Sequence, residues 1–325
     1  MNKISWISNV RIIATISILI CHTVAYFHFL PGHIILPQFF NVGVPIFFII
    51  SGYLYGLKFK DNNNNLNLKY FALTRYIAVI LPLQIFALFC IVWLWPEEIL
   101  PLIGCLFNIQ GLHFLVNFTN PFYGGELLSQ SWFVTVIVLC YALLPTILAY
   151  KRRSGLSTKK ILILWMVSLA LTYIGLHIGY LCLFVSGFYL ASEYTDLQLK
   201  PYKTFLMFVS AILLRIVCRF WFDDTVFYNN IVSFISNSTL AFSIIYFTKY
   251  HDTINLSKLN LCSFIDKYSY YIYIVHYYML PYTYQRYDLF VATALFYLGT
   301  VILAVSLKWC HDGVSSFLLS KVSKA

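Results

Sequence analysis

Residues 8–29 read SNVRIIATISILICHTVAYFHF. As a helix this stretch rises about 33 Å, enough to cross the roughly 30 Å of hydrocarbon in a bilayer. It is predominantly apolar, and its ionisable residues are Arg11, His22 and, at its far edge, His28. A soluble domain would have to leave such a surface as a large exposed patch, whereas lipid accepts it on every side. Lys3 precedes the stretch, but His22, Tyr26 and Phe27 stand where a cleaved leader needs small residues, so it reads as a retained first span.

The rest of the chain repeats this character. Of 325 residues, 60% are hydrophobic, 19% aromatic and 10% charged, against about a quarter charged in a soluble domain. Further apolar stretches fall at 38–57, 72–95, 131–150, 161–178, 180–194, 203–222, 230–248, 268–285 and 289–309. Residues 99–119 contain Pro101, Gly104, Gly111 and His113, which suits an interfacial or re-entrant segment better than a full crossing. The pattern predicts an all-α, polytopic transmembrane bundle of about ten spans forming a single domain over 1–325, with no internal repeat.

Charge orients the bundle. With a cytoplasmic N-terminus and an even number of spans, nineteen of the 22 Lys and Arg collect on the cytoplasmic side, leaving Arg215, Arg219 and Arg286 opposite. That asymmetry predicts both termini inside, with Lys151–Lys160 as the firmest anchor. The net charge of +10 is dispersed in short clusters between spans and forms no basic stripe with stacking aromatics, which argues against a nucleic-acid partner. Most of the eight cysteines fall within or beside apolar runs without Cys-x-x-Cys spacing and read as small packing residues. His28, His33, His113, His177, His251 and His311 lack ligand spacing, so no metal is expected.

Ionisable groups inside a span are costly and point to function or to internal pairing. Arg11 and His22 are eleven residues apart, about three turns, and therefore share one stripe of the first helix roughly 16 Å apart. A guanidinium at the inner boundary can hold phosphate, and an imidazole deeper in the bundle can act as a base. The alternative has Arg11 reaching the headgroups and His22 packing through a hydrogen bond. Arg215 and Arg219, one turn apart, suit an ion pair with Asp223 and Asp224 or a grip on an acceptor.

Four elements in order resemble the acyltransferase 3 family of membrane acyltransferases. They are Arg11 with His22 ten residues between; Gly43-Val44, Phe47-Phe48 and Ser51-Gly52-Tyr53; Ser129-Gln130-Ser131-Trp132-Phe133; and Ile272-Tyr273-Ile274-Val275-His276. One position departs: where many members carry two arginines three residues apart, Arg75 and Pro82 fit but the second arginine is Ala78. No extension follows the last span, so no appended soluble transferase domain is expected.

The resemblance implies transfer of an acyl group, usually acetyl, from cytoplasmic acyl-CoA to a hydroxyl of a surface polysaccharide, O-antigen unit or lipid-linked sugar, in a bacterial inner membrane. His22 would be the base or acyl carrier, and Arg11 would also serve catalysis from the cytoplasmic end of the same helix. Arg11, Arg75, Ser51 and Tyr53 would hold the donor; Trp132, Ser129, His276 and Glu126 would meet the acceptor. Acetyl-CoA is then a substrate, no tightly bound cofactor is expected, and the partners are acyl-CoA, the carbohydrate and membrane lipid. For Ser51 the other reading is a small residue for helix contact, for Trp132 an interfacial anchor, for His276 a packing histidine. The competing functions are a lipid-linked glycan flippase and a polysaccharide polymerase.

Overall fold

The computed structural model describes residues 4–27, 39–60, 66–94, 99–112, 121, 128–173, 176, 178–194, 200–221, 231–251, 256–284 and 287–322. Their regular structure is helical: α1 (Ser5–Phe27), α2 (Gly43–Lys58), α3 (Leu68–Arg75), a π-helical turn (Tyr76–Ile80), α4 (Leu81–Leu94), α5 (Ile99–Phe107), a 3₁₀ turn (Ser129–Ser131), α6 (Trp132–Ser154), α7 (Thr158–Tyr173), α8 (Gly179–Glu193), α9 (Pro201–Trp221), α10 (Ser233–Tyr250), α11 (Asn260–Tyr284) and α12 (Leu289–Val322). No strand occurs among the described residues.

Five helical stretches are long and apolar enough to cross a bilayer: Ser5–Phe27, Leu68–Val92, Ser129–Ser154, Pro201–Cys218 and Leu289–Ser320. The chain is a multi-pass, all-helical membrane protein. Each of the ten apolar stretches carries a helix, but the others are shorter or more polar. α7 and α8 have 16 and 15 residues, while α10 and α11 carry Ser, Asn, Tyr and Lys among their apolar positions. In the stretch 99–119, α5 spans nine residues. Large apolar side chains such as Leu206 and Leu213 on α9 and Phe290 and Ile302 on α12 are exposed, an arrangement that lipid, unlike water, does not penalise.

The described residues group into two compact units, one drawn from 1–65 and 143–267, the other from 66–114, 118–142 and 268–325.

In the first unit, glycines set the packing of α2. A Cβ at Gly52 would run into the Phe184 carbonyl oxygen, one at Gly56 into the Phe188 carbonyl oxygen, and one at Gly187 into the Ile49 carbonyl oxygen. α2 and α8 therefore meet backbone to backbone, the small-residue contact that membrane helices use in place of a hydrophobic driving force. Gly43 brings the start of α2 against Ala14 and Ile18 of α1 in the same way. Past the end of α2, Lys151 Nζ donates to the carbonyl oxygens of Phe59 and Lys60, each at 3.0 Å. A buried ammonium thus terminates the helix at its negative end.

In the second unit, the π turn follows from Pro82. Proline has no N–H to give to the Ala78 carbonyl, and the ladder widens just before it. The turn is held from outside: His311 Nε2 donates to the Ile77 carbonyl at 2.9 Å, and the Tyr270 hydroxyl donates to the Val79 carbonyl. On its other edge the ring hydrogen-bonds the Tyr271 hydroxyl through Nδ1 at 2.7 Å. Gln84 Nε2 donates to the Leu106 carbonyl at 2.7 Å and ties α4 to α5.

Candidate active site

The first unit carries the Arg11–His22 stripe. Both side chains are partly buried on α1, three turns apart. Arg11 is not a solitary cation: its Nη2 lies 2.8 Å from Asp266 Oδ1 on α11, with side-chain exposures of 34% and 2%. Two turns of α11 precede the residues that sequence reasoning assigned to the span, since the helix starts at Asn260. Asp266 is the single acid of α11, in the polar opening turns that precede the apolar run. Nearby, Asn9 Oδ1 accepts from the Leu256 amide at 3.0 Å, tying the start of α1 to the chain before α11.

The pair has a testable energetic signature. Removing one member of a mostly buried ion pair leaves the other uncompensated, at a cost of about 3 kcal/mol. Asp266→Ala should therefore lower the thermal midpoint of the detergent-purified protein strongly. Arg11→Ala combined with Asp266→Ala should be less destabilised than Asp266→Ala alone, because no orphaned charge remains. Additive losses in the double variant would show that the two groups do not act as a pair.

Tyr53 packs edge-on against Trp6, ring centroids 5.1 Å apart, and Lys249 Nζ lies 5.8 Å from the Tyr53 centroid. The helices that carry the first and second family elements, α1 and α2, thus pack on each other within this unit. Ser51 is half-buried on α2, and the closest helix approach belongs to its neighbour Gly52. Arg215 is buried on α9 and donates through Nη1 to the Ser233 carbonyl at 3.3 Å and to Ser236 Oγ at 2.6 Å. Asp223 and Asp224 lie outside the described residues.

The second unit brings the third and fourth elements together. Gln130 Nε2 donates to the Ile274 carbonyl at 2.6 Å, and the Tyr273 hydroxyl returns a bond to the Gln130 carbonyl at 2.5 Å. Phe133 meets Tyr273 edge-on at 5.0 Å. This corner is further fixed by Gln110 Nε2, which donates to the Ser131 carbonyl at 2.9 Å. Ser129 and Trp132 are half-buried beside it. His276 is fully buried, and its Nδ1–H donates to the Tyr273 carbonyl at 2.8 Å, which orients the ring against its own helix. Gln130 was passed over in the sequence because an uncharged amide inside a Ser-x-x-Trp element carries no chemical flag. Arg75 lies at the end of α3, its guanidinium 5.7 Å from the Tyr141 ring. Glu126 lies outside the described residues.

Among the described residues no three His, Cys, Asp or Glu side chains gather as a metal site. No curated protein and no solved structure matches the chain. A profile of the family described as an acyltransferase domain matches residues 4–311, across both units. With the Arg11–His22 stripe, the glycine-packed second element and the joined third and fourth elements in place, the chain belongs to the acyltransferase 3 family of membrane acyltransferases.

Proposed function

We propose that this membrane acyltransferase is an O-acetyltransferase that takes its acyl group from cytoplasmic acyl-CoA and delivers it to a hydroxyl of a surface polysaccharide or lipid-linked sugar. The proposal includes ten spans, both termini in the cytoplasm and residence in a bacterial inner membrane. The observation that carries it is the first helix, where an imidazole stands three turns beyond a guanidinium already oriented by a buried carboxylate in a chain of this family.

In the proposed reaction the His22 imidazole takes the proton of the acceptor hydroxyl as its oxygen attacks the thioester carbonyl. A C–O bond forms and the carbonyl oxygen gains the negative charge. Collapse of that oxyanion breaks the C–S bond, and the departing thiolate takes the proton back from the imidazolium, giving acyl ester and free coenzyme A. Arg11 and Arg75 supply positive charge toward the donor's phosphates, with Ser51 and Tyr53 near the donor and Ser129, Trp132, His276 and Glu126 toward the acceptor.

Proteoliposomes supplied with labelled acetyl-CoA and a membrane glycan extract should release free coenzyme A and carry label into the glycan. A flippase or a polymerase would move or join glycan without cleaving the thioester. Glycan turnover with no coenzyme A released would sink the proposal in favour of those two functions.

A further inference from the structure

Beyond Arg11, another cationic group of the first unit stands amid aromatic rings. Lys249, in the last turn of α10, has Nζ 5.8 Å from the Tyr53 centroid and 5.3 Å from the Tyr250 centroid. Trp6 closes on Tyr53 from the other helix at 5.1 Å. The Tyr246 and Tyr250 rings lie nearly parallel, 3° apart in plane with centroids separated by 6.2 Å. The Tyr250 hydroxyl is buried and has no hydrogen-bond partner among the described residues. α10 thus presents an ammonium, two partly exposed rings and a hydroxyl whose bonding capacity is unused, backed by the buried Trp6 of α1 and Tyr53 of α2.

A cradle of this composition fits a planar base carrying phosphate. An ammonium meets phosphate as a compact point charge, aromatic faces take a stacked base, and cation–π contact helps to position the lysine. Arg11 shares its charge with Asp266, so a multiply charged donor gains from a further cation beside those assigned to it above.

Resting on the acyl-CoA reading above, we propose that Lys249, Tyr246 and Tyr250, all partly exposed, bind the phosphorylated nucleotide end of the donor, with the buried Tyr53 and Trp6 positioning the lysine. Lys249 meets phosphate and the Tyr246 and Tyr250 rings take the adenine.

Calorimetric titration of the purified protein in lipid nanodiscs tests this without an acceptor. Coenzyme A, adenosine bisphosphate and pantetheine, which lacks the nucleotide, serve as probes. Lys249→Met should weaken coenzyme A and adenosine bisphosphate about tenfold, the loss of one charge-assisted contact, and leave pantetheine unchanged. Lys249→Arg should restore most of the affinity, which separates loss of charge from loss of folding. Wild-type affinity for coenzyme A in Lys249→Met, or an equal loss for pantetheine, overturns the cradle and leaves the donor reading standing. Absence of coenzyme A binding to the wild-type protein overturns both.

Discussion

Replacing His22 with Ala is expected to lower the rate of acyl transfer about a thousandfold, the middle of the range that general-base catalysis supplies. His22→Gln should fall as far, because an amide keeps the shape and hydrogen-bonding capacity of the ring without its basicity. Both variants should still insert and elute as the wild type does on gel filtration, since a partly buried ring is exchanged for a smaller or similar side chain. Coenzyme A should bind to them as before, which places the defect in chemistry and not in donor capture. The readout is release of free coenzyme A under saturating acetyl-CoA. Retention of wild-type release in His22→Ala would remove the base from the mechanism and leave α1 as a structural helix.

Gly52→Val is expected to abolish accumulation of folded protein. Its side chain would have to occupy the space of the Phe184 carbonyl, and backbone, unlike the tip of a flexible side chain, cannot swing aside. Separating α2 from α8 by the width of a side chain would also undo the contacts made through Gly56 and Gly187. Overpacking of an ordinary core costs about 1–3 kcal/mol; three backbone contacts disturbed together exceed that. Fluorescence-detected size exclusion of membranes expressing Gly52→Val should show aggregate in place of the wild-type peak. A monodisperse, thermally normal Gly52→Val would mean that the two helices do not meet at this glycine.

The helices were legible because membrane segments announce themselves through long apolar runs, and each of the ten stretches carries a helix. The stripe joining Arg11 to His22 was legible from spacing, since eleven residues return to nearly the same face. Its carboxylate partner was not. Asp266 is 255 residues away in the chain and lies before the apolar run by which α11 is recognised, so a hydropathy reading assigns it to a loop. Lys249 was counted for topology; its place among Trp6 and the tyrosines depends on how α1, α2 and α10 pack, which no local pattern encodes. Gln130 shows the same limit from the polar side. Its value lies in bonding the Ile274 backbone, and backbone groups leave no mark in a sequence.

The widened turn at Tyr76–Ile80 alters what spacing means in this part of the chain. Each residue of a ring closed from i to i+5 advances through a smaller angle than the ~100° of an α-helix. Residue 78 therefore does not occupy the azimuth, relative to Arg75, that counting three positions along a regular helix assigns to it. An arginine placed at Ala78 would aim its guanidinium away from the direction that a regular α-helix gives to a residue three positions after Arg75.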